Sequence, residues 1–123
     1  MNKTYEIFKD QNDLKIAELI QQRRLQMLIH SCLYYEMDTN LISDRTWDMW
    51  AKELRQLQAD YPEISRQVGW YEAFKDWDAS TGAFLPLKDE WVVNKARQVA
   101  GIRTIKKPKK VEKQKAPEQL SLF

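Results

Sequence analysis

The apolar positions fall into two long helical patterns followed by several short ones. Asp13 to Met37 holds neither Pro nor Gly. Leu14, Ala17, Gln21, Leu25, Leu28, Cys32 and Tyr35 recur at three- and four-residue steps, and Ile16, Ile20, Met27 and Ser31 widen that stripe. This spacing predicts a helix over 13–37, with Asp13 as its N-cap. Residues 42–61 carry the stronger signal. Trp47, Trp50, Ala51, Leu54, Leu57 and Tyr61 share one broad face, while Arg45, Lys52, Glu53, Arg55 and Gln56 fall mainly on the other. Ser43 is the expected N-cap, since its hydroxyl can accept from a free N–H of the first turn. Asp44 and Asp48 follow where the helix dipole favours negative charge, and Pro62 stops the helix. Asp38, Thr39 and Asn40 read as a turn, so the two helices should form an antiparallel pair. The rest of the chain is expected to organise around the second helix.

Beyond Pro62 the patterns shorten. Residues 63–68 form a brief segment ending at Gly69. Trp70, Tyr71, Phe74 and Trp77 are spaced as a short amphipathic helix, and Asp78 to Gly82 as a loop. Phe84, Leu85 and Leu87 around Pro86 suggest an extended apolar strap. A last helix is expected over 89–100, with Trp91, Val92, Lys95, Ala96 and Val99 on one side and Gly101 at its C′ position. Residues 1–12 are a polar lead-in with Tyr5, Ile7 and Phe8 as anchors. No segment reads as a strand, so the fold class is all-α.

Composition then divides the chain. At 123 residues, 43% hydrophobic and 31% charged, it fits one globular domain. The net charge of +2 hides an asymmetry. Seven basic residues against two acidic ones lie beyond residue 102, so the tail carries +5 and residues 1–102 carry −3. The Lys- and Pro-rich stretch 103–118 cannot bury enough apolar area to offset ordering and is expected to be a disordered linker. Residues 119–123 turn apolar again, which gives three parts: 1–102, 103–118 and 119–123. No apolar run reaches the roughly 20 residues that span a bilayer. The N-terminus lacks the apolar core of a secretion signal, and Cys32 is alone, so a cytoplasmic protein without membrane contact is expected.

The second helix and its approach also carry polar residues at telling positions. Tyr34, Asp38, Ile42, Ser43, Asp44, Asp48, Glu53, Leu54, Leu57, Pro62 and Glu63 together resemble the N-terminal helical (Ia) subdomain of bacterial NAD-dependent DNA ligases. That subdomain grips the nicotinamide mononucleotide (NMN) half of NAD. The resemblance places Tyr34, Tyr35, Asp44, Trp47 and Asp48 on the nicotinamide-binding positions. Two of them depart from the family: Tyr35 stands where it has His, and Trp47 where it has Tyr. Both stay aromatic, so stacking is retained while the hydrogen-bonding groups change. The residues alone allow two readings. Two carboxylates one turn apart beside aromatic faces can hold a cationic ring; equally, they can complement the helix N-terminus while the aromatics fill the core.

The sequence contains no Lys-x-Asp-Gly adenylation motif, so ligase activity is not expected of the chain by itself. Other catalytic patterns are missing too. His30 and Cys32 lie two apart on a helix and do not face each other, so no metal site is expected. Asp76 and Asp78 read as turn or capping residues. Ser80, Thr81 and Gly82 lack a Walker frame, and one isolated histidine supports no nucleophile–base pair.

The last five residues, Gln119, Leu120, Ser121, Leu122 and Phe123, match the peptide by which bacterial polymerases and repair proteins dock on the β sliding clamp. Leu122 and Phe123 would be the apolar anchors, Leu120 would fill a second subsite, and the Gln119 amide would fix register. The 16-residue linker spans roughly 50 Å when extended. Its Lys106, Lys107, Lys109 and Lys110 either touch DNA phosphates beside the clamp or simply keep the spacer extended. The sequence therefore points first to a non-enzymatic, phage-type accessory or modulator of DNA replication, bound to the clamp through its tail. The alternatives are an NMN- or NAD-binding protein, and a counter-defence or regulatory protein acting by protein contact through exposed aromatics such as Trp70, Tyr71 and Trp77.

Overall fold

The structure, a computed structural model, describes residues 11–101. The helices are α1 (Gln11–Met37), α2 (Asp44–Asp60), α3 (Pro62–Gln67), α4 (Tyr71–Phe74) and α5 (Glu90–Ala100). The fold is all-α, with no strand among the described residues. None of these helices is long and apolar enough to cross a membrane. The lead-in anchors, the Lys-rich stretch and the terminal peptide lie outside the described residues.

Helices α1 and α2 run antiparallel. Ser31 meets Trp47, His30 meets Trp50, Arg23 meets Glu53 and Arg24 meets Gln58, so the partners climb one helix as they descend the other. The helix ends follow the expected chemistry. Ser43 Oγ accepts from Thr46 N–H at 3.0 Å and caps α2. The Asp89 carboxylate accepts from Trp91 and Val92 N–H at the start of α5, and Gly101 closes that helix at φ 76°. Helix α1 already includes Gln11, so Asp13 lies within its first turn and is not the N-cap.

The centre of the fold is α1, not α2. Residues 26–33 of α1 are buried without a break. A helix buried around its whole circumference needs neighbours on every side. Here α2 and α5 both pack on α1, and α3 meets it near Arg24. Each Leu, Ile or Met fully buried there contributes about 1.5–3 kcal/mol. The single-stripe reading of α1 included Gln21 and Tyr35, which are exposed, and left out Ile29 and Leu33, which are fully buried. The uncharged run from Met27 to Tyr35 is the sequence sign of burial on more than one side. Helix α2 fully buries only Ala51 and Leu54, and Tyr61 is exposed at its C-cap. Glu53 also departs from the expected outer face, because its carboxylate pairs with Arg23 of α1 at 2.9 Å.

One buried cation joins α1 to the corner after α3. Arg24 has no exposed surface and no carboxylate partner among the described residues, yet five bonds occupy its five N–H donors. Nε donates to Gln58 Oε1 at 2.9 Å, and Nη1 to the carbonyls of Val68 and Gly69, each at 3.0 Å. Nη2 donates to Ser65 O at 3.2 Å and Ser65 Oγ at 2.6 Å. Burial pushes the guanidinium down to about 10, so it remains charged at neutral pH. The chain leaves this corner through Trp70, a bulky residue held at φ 71° whose indole leans on Trp91, with ring centroids 6.1 Å apart.

The later segments are shorter than the sequence suggests. Helix α4 is a single turn, and Trp77 lies beyond it. The apolar strap is a series of turns in which Leu85 and Leu87 are buried but Phe84 is 90% exposed. The buried Cys32 thiol donates to Leu87 O at 3.3 Å and so fixes these turns against α1. Burial, with Glu36 nearby, raises its pKa.

Candidate functional site

The end of α1, the 38–43 turn and the first turns of α2 enclose a cleft of about 500 Å³. Tyr34, Tyr35, Asp44, Trp47 and Asp48 all line it. Their convergence follows from the antiparallel pairing. A short connection brings the C-terminal turn of α1 beside the N-terminal turn of α2, and residues one turn apart share the facing side. Asp38 at φ 50° makes the exit from α1, and the Thr39 N–H returns to Leu33 O at 2.8 Å.

The aromatic walls are held by their own contacts. The rings of Tyr34 and Tyr35 meet edge to face, with centroids 4.8 Å apart. Both side chains are about half exposed. Trp47 Nε1 donates to Ser31 Oγ at 3.3 Å, and its ring stands at 79° to that of Trp77. Tyr35 Oη and Thr81 Oγ1 are 2.9 Å apart in a hydrogen bond. The two residues that depart from the ligase pattern therefore spend polar atoms on the protein, and their rings serve as walls.

Charge at the cleft is mixed. Asp44 lies in the first turn of α2 and makes no ion pair among the described residues. Asp48 pairs with Lys52 at 3.0 Å, but both side chains are exposed and such a pair is weak. Arg45 also lines the cleft, which corrects its expected place on the outer face of α2. Its guanidinium is suited to phosphate or carboxylate recognition. His30, buried at the cleft floor, leans on Trp50 with ring centroids 5.8 Å apart.

A further wall comes from Ser80, Thr81 and Gly82, which the sequence marked only as loop. Trp77 Nε1 donates to Thr81 O at 2.7 Å. The Asp78 carboxylate accepts from Ser80 N–H at 2.9 Å and Ser80 Oγ at 2.7 Å, and these bonds hold its pKa below the ordinary value. Asp78 is thus the turn-capping residue expected of it. Ala79, buried at φ 70°, carries the chain across the turn. No local sequence signal brings residue 81 to residue 35, because the approach depends on how the turns after α4 fold back over α1. No group of three or more His, Cys, Asp or Glu that could hold a metal occurs among the described residues. The lysines expected near DNA, Lys106, Lys107, Lys109 and Lys110, and the clamp peptide Gln119 to Phe123 lie outside the described residues.

Residues 13–67 match the family model of the DNA ligase-like, N-terminal NAD+-binding domain. That match holds α1 to α3 and all five cleft residues named from the sequence, and it stops short of Thr81. The chain is also similar to the small ribosomal subunit protein uS8 of Corynebacterium efficiens, 36% identical over 53 residues. This alignment spans 43% of the present chain and 40% of that protein. No solved structure gives a significant match.

Proposed function

We propose that the protein is a nicotinamide-nucleotide binder that holds NMN, or the NMN half of NAD, in the cleft between α1 and α2. The observation that carries this reading is the convergence of Tyr34, Tyr35, Asp44, Trp47 and Asp48 on one cavity of about 500 Å³. That volume lies within the range of small-molecule sites. The ring of the nucleotide is a cation, matched by the Asp44 and Asp48 carboxylates and by the faces of Tyr34 and Trp47. Its phosphate is an anion, matched by Arg45. The NAD+-binding description of the family model that covers these residues favours the same ligand. The role is binding rather than catalysis. Titration calorimetry of NMN into the full chain tests the reading, and absence of heat at millimolar ligand rejects it.

The tail supports a second role that is compatible with the first. Gln119 to Phe123 would dock on the β sliding clamp and bring the helical domain to replicating DNA, with Lys106, Lys107, Lys109 and Lys110 near its phosphates. The support is the residue-for-residue match of the terminal peptide. A clamp pull-down with and without residues 119–123 is the test. Capture that survives the truncation, or no capture of the full chain, removes this role.

A further inference from the structure

We infer that the Ser80–Gly82 loop is a working wall of the binding cleft and that Thr81 is a positioning residue for Tyr35, so that this chain completes its own ligand site. The inference rests on the nicotinamide-nucleotide reading and goes beyond the segment that resembles ligases, since residue 81 lies outside 13–67.

Four contacts order the loop, two of them local and two reaching across to α1 and α2. Gly82 packs on Ser31 and Trp47 so closely that it has no room for a side chain. Trp77 Nε1 donates to Thr81 O at 2.7 Å. The Ala83 N–H donates to Thr81 Oγ1 at 3.1 Å, which sets the direction of that hydroxyl. Tyr35 Oη then meets the same oxygen at 2.9 Å. Without this bond the half-exposed Tyr35 ring would be free to swing about its χ angles toward solvent. With it, the ring is held beside Tyr34 as a fixed face of the cleft.

The hydroxyl pair also retains donor capacity. Tyr35 and Thr81 carry two hydroxyl protons, and their mutual bond uses one. The Ala83 N–H fills an acceptor position on Thr81 and consumes neither proton. One O–H therefore remains to serve an acceptor atom of the ligand, such as a carboxamide, ribose or phosphate oxygen. Where the ligases have His, this chain offers a paired hydroxyl.

The test is a double-mutant cycle in the full chain, read by NMN titration and by thermal unfolding. Thr81→Val, Tyr35→Phe and the double variant each break the same bond. Each should weaken NMN binding by about three- to tenfold, with the double variant no weaker than the worse single one. Thr81→Ser should restore most of the affinity, and the unfolding midpoints should stay close to that of the parent. Strictly additive losses, or unchanged affinity in Thr81→Val, overturn the role of Thr81 while leaving the nucleotide reading intact. A parent chain that binds no NMN overturns both.

Discussion

Gly82 lies so close to Ser31 that a Cβ placed on the glycine would sit 2.0 Å from Ser31 Oγ and 2.7 Å from Ser31 Cβ. Real carbon atoms do not approach that closely, so the loop must move if Gly82 gains a methyl group. Gly82→Ala is therefore expected to destabilise the fold by about 1–3 kcal/mol, the usual cost of overpacking. Ser31→Gly in the same chain removes both clashing atoms and should recover part of the loss. Urea unfolding of the three variants checks this; a Gly82→Ala protein as stable as its parent would show that the loop is not seated on α1.

Asp48 offers a separation of binding from stability. Its only ion pair among the described residues, with Lys52, is exposed on both sides. Asp48→Asn should change unfolding free energy by no more than about 0.5 kcal/mol. If the carboxylate faces a cationic ring, the same change should weaken NMN binding by roughly tenfold, the scale of one charge-assisted contact. Asp44→Asn should act similarly. Calorimetry and denaturation on the same samples give both quantities.

Arg24 predicts the opposite profile. Arg24→Ala strands Gln58 Oε1, the carbonyls of Ser65, Val68 and Gly69, and the Ser65 hydroxyl. It also leaves a cavity where a guanidinium packed 5.9 Å from the centre of the Phe74 ring. A loss of about 3–5 kcal/mol is expected, a large part of the 5–15 kcal/mol that stabilises a typical domain. Arg24→Lys keeps the charge but not the planar fork, and should still cost about 2 kcal/mol. Chemical denaturation measures both, and a neutral Arg24→Lys would refute the importance of the five-bond geometry.

The pH dependence of the loop follows from Asp78. Hydrogen bonds from the Ser80 N–H and hydroxyl favour its ionised form and depress its folded pKa. A carboxyl with a depressed folded pKa contributes stability above its unfolded value, near about 3.9, and loses that contribution as pH falls through the folded value. The Asp78 carboxyl should therefore titrate by NMR below the ordinary aspartate range. Ser80→Ala should shift it back upward, and the Ser80 amide should exchange faster in strong acid. A midpoint at or above the ordinary value would mean that the turn does not form in solution.

How far the sequence disclosed this molecule depended on the range of the interactions. Caps and periodicity are local, so Ser43, Gly101 and the antiparallel pairing of α1 with α2 were readable from the chain alone, while Asp89, expected inside the last helix, proves to be its cap. The five cleft residues were readable too, because they lie within 15 residues of one another and match a known pattern. The burial of α1 on all sides was not, since the stripe reading assumed one partner, and the chain supplies α5 some sixty residues later. Arg24 gave no local sign of being buried. Its five acceptors come from residues 58–69, and nothing near position 24 encodes them. Thr81 was hidden for the same reason, 46 residues from the hydroxyl it meets.

The double cover of α1 bears on how such a protein can be cut or grafted. The stretch that resembles ligases, residues 13–67, contains α2 and α3 but neither α5 nor the loop carrying Thr81. Excised at those limits, α1 would lose the cover of α5 and of Leu87, which accepts from the Cys32 thiol, and part of its buried stretch 26–33 would lie bare. Such a fragment would be sticky, and its cleft would open on one side. Sequence likeness and the physical unit of folding therefore have different borders here. A chimera that moves this pocket into another scaffold needs the chain through Gly101.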